Sequence, residues 1–246
     1  MPTTTYSKEE YESIAESKCT MEKMINLLGY CFRDKLKTPD RGRDEKKEYD
    51  YIPIEIQYLI PQLQFVRDYV VAERYKKTKY RSERLWDRFL DVGSGPGLVG
   101  LAAKALGFNY TAGIEYNPDV ASFLSRTGNL EKDKYREGDK WIDVEFYDSL
   151  RSHIYCCNAF DFNRHTEFGI IYYYCPLHDS KEQQKLEKLI EDRCAKDTII
   201  IANLKQDSSM RHDDRFEILQ GKGEFCNNFV YTKVRNRARK GKAKAE

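Results

Sequence analysis

The segment Phe89-Leu-Asp91-Val-Gly93-Ser94-Gly95-Pro-Gly97-Leu-Val-Gly100 sets three glycines at alternate positions directly after a carboxylate. Glycine allows the backbone to turn sharply and to come close to a ligand. The residues that follow open a helix whose first amides have no partner within it, so something polar belongs across this turn. Two cofactor classes use such a turn, and spacing separates them. A dinucleotide fingerprint, Gly-x-Gly-x-x-Gly, would put its third glycine at position 98, where the chain has Leu98. Asp91 would repel a pyrophosphate but attract an ammonium group. A second acid, Glu115 in Gly113-Ile-Glu115-Tyr116-Asn117-Pro118, follows Gly95 by 20 residues. At a strand end it suits the two hydroxyls of a ribose. The pair of acids describes a nucleoside that carries an amino acid.

The elements that must hold these residues are legible in the hydrophobic pattern. After Arg84 the chain alternates strands and helices. Strands are expected at Arg88 to Val92, Tyr110 to Glu115, Ile154 to Cys157, Gly169 to Tyr174, Thr198 to Leu204, Arg215 to Leu219 and Phe229 to Val234. Helices are expected at Gly97 to Leu106, Pro118 to Leu130 and Ser180 to Cys194, the last opened by a capping box of Ser180 and Gln183. Alternation of this kind predicts a parallel sheet, and the short link between the last two strands predicts an antiparallel hairpin at its edge. Upstream, Ile56, Leu59, Ile60, Leu63, Val66 and Val70 form a helical stripe, with Pro53 at its start and Pro61 as a kink or second start. Residues 8–32 read as one or two amphipathic helices, and residues 33–50, almost wholly charged, as a linker. The expected organisation is therefore a helical extension and linker over 1–50, one α/β domain over 51–234 and a basic tail over 235–246.

Composition bounds the class. With 246 residues, 40% of them hydrophobic and 33% charged, the chain is too apolar for disorder and too interrupted by charge for a membrane span. No secretory leader pattern opens it. Its seven cysteines, an odd number without Cys-x-x-Cys spacing, do not form a disulfide framework, and a reducing cytoplasm is the expected location. The formal net charge of +2 hides a gradient. Lys233, Arg235, Arg237, Arg239, Lys240, Lys242 and Lys244 make the last stretch basic and leave the body slightly acidic. The tail reads as a phosphate-tracking arm for nucleic acid or as a solvated end. His153, His165, His178 and His212 fall in no metal-ligand spacing.

On the Asp91 to Gly97 motif and on Glu115, the chain resembles the class I S-adenosylmethionine-dependent methyltransferases over about residues 53–234. The resemblance implies a Rossmann-like fold with a seven-stranded, mostly parallel sheet and a terminal antiparallel hairpin. It implies S-adenosylmethionine as cofactor. In that family the segment Asp91, Gly93, Ser94, Gly95 and Gly97 embraces the methionine part and Glu115 holds the ribose, with Tyr116 and Asn117 beside it. Asn158-Ala-Phe160-Asp161 is similar to the adenine element, with Asp161 at the exocyclic amine and Phe160 beside the ring. The wording is also similar to the Dot1-like branch, which methylates protein lysine, where Tyr51 to Glu55 would supply a further cofactor contact through Glu55.

The reacting end belongs after the fourth strand, at Tyr172-Tyr-Tyr174-Cys175-Pro176-Leu177. Enzymes that methylate base amines carry Asn or Asp, Pro, Pro and an aromatic there. In this chain Cys175 and Leu177 depart from that pattern, and Tyr174 and Pro176 are the candidate catalytic residues. Alternation sends Tyr172 and Tyr174 to one face of the sheet and Tyr173 to the other. The expected activity is methyl transfer to a nitrogen on a macromolecule, protein before nucleic acid. A fold retained as a binding module is the competing reading.

Overall fold

The computed structural model describes residues 56–76, 87–125, 127, 129–137, 140–149, 152–174, 176, 177, 179–203, 209–220 and 229–234. The helical extension, the charged linker, Glu55, Cys175, His178 and the basic tail lie outside them. In chain order the elements are α1 (Ile56–Lys76), β1 (Arg88–Val92), α2 (Leu98–Ala105), β2 (Tyr110–Glu115), α3 (Pro118–Ala121), β3 (Glu131–Glu137), β4 (Lys140–Ser149), β5 (Ser152–Cys156), β6 (Ile170–Tyr173), α4 (Ser180–Arg193), β7 (Ile199–Ala202), β8 (Phe216–Gln220) and β9 (Phe229–Lys233).

The strands form one sheet in the order β3-β4-β5-β2-β1-β6-β7-β9-β8. Its centre, β5-β2-β1-β6-β7, is parallel. β9 enters antiparallel to β7 and to β8. Every residue of β6 and of β7 is buried, as expected of parallel strands covered on both faces. Alternation divides their side chains between two cores. Phe89, Ile170, Tyr172, Ile199 and Ile201 pack with Leu59, Leu63 and Val66 of α1 and with α2. Leu90, Val92, Ile171, Tyr173, Ile200 and Ala202 pack with Leu186 and Ile190 of α4. Tyr174 joins Tyr172 on the first face, as its spacing predicts. α1 runs through Pro61 as one helix, where a kink or a second start was expected.

Two expectations are corrected. The sheet has nine strands rather than seven, the extra pair being β3 and β4. The helix expected over Pro118 to Leu130 ends after four residues. Asn117 caps it and Pro118 starts it well, but Phe123 and Ser125 then bond back to the third residue before them, at Val120 and Ser122. Thr127, Gly128 and Asn129 follow, all poor helix formers. The missed strand had a period of two. Ile142 and Val144 are half-buried and Phe146 is buried, whereas Trp141, Asp143 and Glu145 between them are exposed. Charge masked that pattern. The exposed pairs Lys132 with Glu145 and Lys134 with Asp143 are cross-strand neighbours that only the register reveals.

The sheet edge beyond β7 is tied back to α4. The Lys233 ammonium is buried and donates to the carbonyls of Glu191 (2.8 Å) and Cys194 (2.7 Å), serving the open end of the helix.

Candidate active site

The chain reverses its strand order between β1, which is followed by β2 on one side, and β6 on the other, so the crevice at their carboxyl ends is where a ligand belongs. The glycine turn fills that position. Gly93, Gly95 and Gly97 have φ of 78°, 54° and 96°, all in the left-handed region that favours glycine. The amides of Gly93 and Ser94 both donate to the Ile114 carbonyl at 2.9 Å, which fastens the turn to β2. Ser94 is buried, and its side chain occupies the space above Gly113, where a Cβ would lie 2.4 Å from the Ser94 Cβ. Gly113 is thus fixed by the turn it supports. α2 begins after Gly97 with no side-chain cap.

Asp91, the last residue but one of β1, pairs with Gly113 on one side and Tyr172 on the other. It is 2% exposed, and its Oδ2 has no hydrogen-bond partner. Burial, and after it the nearby Glu115 charge, push its carboxyl well above the usual carboxylate range. A buried acid without a partner costs stability, and a cation at Oδ2 would remove that cost. Glu115 is half-buried and accepts the amide of Gly95 at 3.0 Å and that of Asn117 at 2.9 Å, one on each oxygen. Its carboxylate therefore shapes both the glycine turn and the start of α3. Tyr116 beside it is 58% exposed, and the Asn117 side chain accepts from the Asp119 amide at 3.0 Å as the cap of α3.

The segment after β5 is a built turn. The Asn158 side chain accepts the Phe160 amide at 3.0 Å and its carbonyl accepts the Asp161 amide at 2.9 Å. Phe160 is half-buried and Asp161 exposed. Arg193, in the last turn of α4, holds this turn through the carbonyls of Phe160 (3.2 Å) and Phe162 (2.6 Å). Nothing local marked Arg193, because its partners lie 31 and 33 residues away. At the other end of the crevice Tyr174 is half-buried, and Pro176 lies directly on the turn, its Cβ 2.4 Å from where a Gly93 Cβ would stand. Tyr172 and Tyr173 are buried packing residues, and Asn203, after β7, donates to the Tyr172 hydroxyl at 2.6 Å. The expected capping box is corrected: Asp179 caps α4, accepting the amides of Lys181 and Glu182. Gln183 instead accepts the Leu177 amide at 3.1 Å.

Asp91, the glycine turn, Glu115, the turn at Asn158 to Asp161, Tyr174 and Pro176 thus meet along one rim of the sheet, whereas Glu55 lies outside the described residues. Among the described residues no group of three or more His, Cys, Asp or Glu side chains gathers for a metal. No helix among them is long and apolar enough to cross a membrane.

A parallel centre, a reversed strand next to the far edge and a glycine turn at the reversal point make a Rossmann-like, doubly wound α/β fold, carried here on nine strands. No family model matches the sequence, and no curated protein is detectably similar to it. Solved structures with a similar fold include a cofactor-bound protein of MTB, Rv0187 (10% identity, 95% of this chain and 100% of that one, TM-score 0.48). Another is an O-methyltransferase of Bacillus cereus in complex with SAH (11% identity, 92% and 96%, TM-score 0.45). A third is an RNA methyltransferase of Salinibacter ruber in complex with S-adenosyl-L-homocysteine (14% identity, 70% and 94%, TM-score 0.38).

Proposed function

We propose that the chain is an S-adenosylmethionine-dependent methyltransferase that acts on a nitrogen of a protein. The observation that carries this reading is the buried, unpartnered Asp91 carboxylate beneath a glycine turn that Glu115 braces from the neighbouring strand. A cofactor with an ammonium group at one end and a ribose diol beyond it fits these residues. Asp91 would hold the ammonium, and Glu115, at the end of the neighbouring strand, the hydroxyls. Phe160 and Asp161 would meet the base. When bound, S-adenosylmethionine supplies an electrophilic methyl group on a sulfonium.

The protein's own contribution is placement and exclusion of water. Ser94 to Gly100 are buried without a break, so the turn and the start of α2 offer little surface to solvent. The acceptor nitrogen must present a lone pair, and the residues at hand to orient it are Tyr174 and the backbone at Pro176. A protein nitrogen is favoured over a base amine because Cys175 and Leu177 depart from the Asn or Asp, Pro, Pro, aromatic pattern.

Calorimetry with S-adenosylmethionine on the wild-type protein tests the pocket. Transfer of labelled methyl groups onto a cell lysate, before and after protease or nuclease treatment, tests the acceptor. Label removed by protease is the expected result. Label removed by nuclease would move the acceptor to RNA or DNA and give the basic tail a role. Binding without transfer to either pool would make the chain a cofactor-binding module.

A further inference from the structure

We infer that Gln183 is a positioning residue that clamps the segment after β6 against the glycine turn; what the clamped turn binds rests on the methyltransferase reading above. Gln183 lies in the first turn of α4 and is buried. Its amide is engaged at both ends. The Leu177 N–H only donates, so Oε1 faces it, at 3.1 Å. That leaves Nε2 for the Glu187 carboxylate one helical turn on, at 2.8 Å, also buried. The helix does not need Gln183 for its own start, since Asp179 already accepts the Lys181 and Glu182 amides.

The residue bonded to Leu177 is Pro176, and Pro176 rests on the bare α-carbon of Gly93, the first residue of the turn. Glu187, Gln183, Leu177, Pro176 and Gly93 thus form one continuous path from the middle of α4 to the mouth of the crevice. Proline cannot bond through its own nitrogen and rotates little, so the Leu177 amide is the handle by which its ring is held. A displaced Leu177 moves the ring either into Gly93 or away from it. The Ile114 and Glu115 bonds fasten the turn from the β2 side, and the held handle fixes it from the side of Pro176. Gln183 touches neither Asp91 nor Glu115 and acts through Pro176.

Two variants test this. Gln183→Met keeps the volume and removes both hydrogen bonds. Gln183→Glu with Glu187→Gln exchanges the partners, leaving an oxygen for the Leu177 amide and a donor–acceptor pair between positions 183 and 187. Amide exchange at Leu177 is followed by NMR without ligand, and the affinity for S-adenosylmethionine by calorimetry. In Gln183→Met the Leu177 amide should exchange at least tenfold faster and the cofactor bind at least tenfold more weakly. The exchanged pair should return both to within threefold of wild type. Unchanged exchange at Leu177 in Gln183→Met, or faster exchange with wild-type affinity, overturns the inference. If Gln183→Met does not fold, the exchanged pair decides: slow Leu177 exchange and wild-type affinity support the clamp, and fast exchange removes it. A wild-type protein that binds no cofactor overturns the methyltransferase reading instead, and the exchange rates measured without ligand still judge the clamp.

Discussion

Asp91 sets stability against function at a single carboxylate. Its burial, with the nearby Glu115 charge, penalises the charged form, so Asp91 keeps its proton to higher pH than an exposed aspartate does. Binding an ammonium group needs the charge, and so releases a proton wherever Asp91 starts protonated. Cofactor affinity should therefore rise with pH through the elevated Asp91 titration and level off above it, which calorimetry in buffers of different ionisation heat will read. Asp91→Asn should weaken binding by about 1 to 3 kcal/mol, the scale of a lost charge-assisted hydrogen bond. The same variant should raise the thermal midpoint of the apo protein, because an amide is neutral at every pH, whereas Asp91 must be buried charged or take up a proton on folding. A variant with a lower midpoint and full affinity would refute this account of Asp91.

His165 carries a second pH effect, away from the crevice. It is wholly buried against Phe162, neither ring nitrogen has a partner, and burial, with the Arg193 charge after it, lowers its pKa from 6.5 to about 4. The unfolded chain binds a proton at this residue below pH 6.5 and the folded chain does not until about pH 4. Stability is therefore complete above pH 6.5 and falls as the pH drops toward 4, by about 3 kcal/mol at full extent. Urea titrations from pH 7.5 to 4 should show this slope in the wild type and a flatter one in His165→Leu.

At the scale of elements, the turn and β2 are one unit because Gly113 leaves room for Ser94. A Gly113→Ala Cβ would lie 2.4 Å from the Ser94 Cβ and 2.9 Å from Ile154 Cδ1. Overpacking of this kind costs about 1 to 3 kcal/mol, and adding Ser94→Gly should recover part of it. A double-mutant cycle by denaturant unfolding measures the coupling, and strictly additive effects would deny the contact. The hairpin β3–β4 illustrates why one element escaped detection. Its inward residues Ile142, Val144 and Phe146 alternate with acids, and the segment as a whole reads as charged loop. What makes it a strand is the pairing of Tyr147, Asp148 and Ser149 with β5 and the stacking of Phe146 on His153 at 4.3 Å. Gln183 escaped for a related reason: a glutamine three residues after a serine has the form of a cap, and only the fold brings the Leu177 amide to it.

For the whole molecule, β9 lies between β7 and β8, and Lys233 fastens that edge of the sheet to the end of α4. Removing its ammonium leaves the Glu191 and Cys194 carbonyls without this donor. Lys233→Met should lower the unfolding free energy by about 2 kcal/mol in urea, with the cofactor affinity of the folded protein unchanged.

The amino-acid sequence alone determined the glycine turn, the two acids, the seven strands of the main sheet and the faces on which Tyr172, Tyr173 and Tyr174 lie. Each of these is written in local spacing: a strand's period of two, a helix's stripe, or a run of residues that only one backbone shape allows. Tertiary structure alone decided that Glu115 braces the turn through the Gly95 amide, that Asp91 has an orphaned oxygen, that Arg193 holds the turn at Phe160 to Phe162, that Gln183 holds the Leu177 amide and that Lys233 holds the end of α4. Those facts depend on which polar groups meet after burial. A side chain's partner is settled by the packing of the sheet and its helices, and sequence spacing carries no record of it.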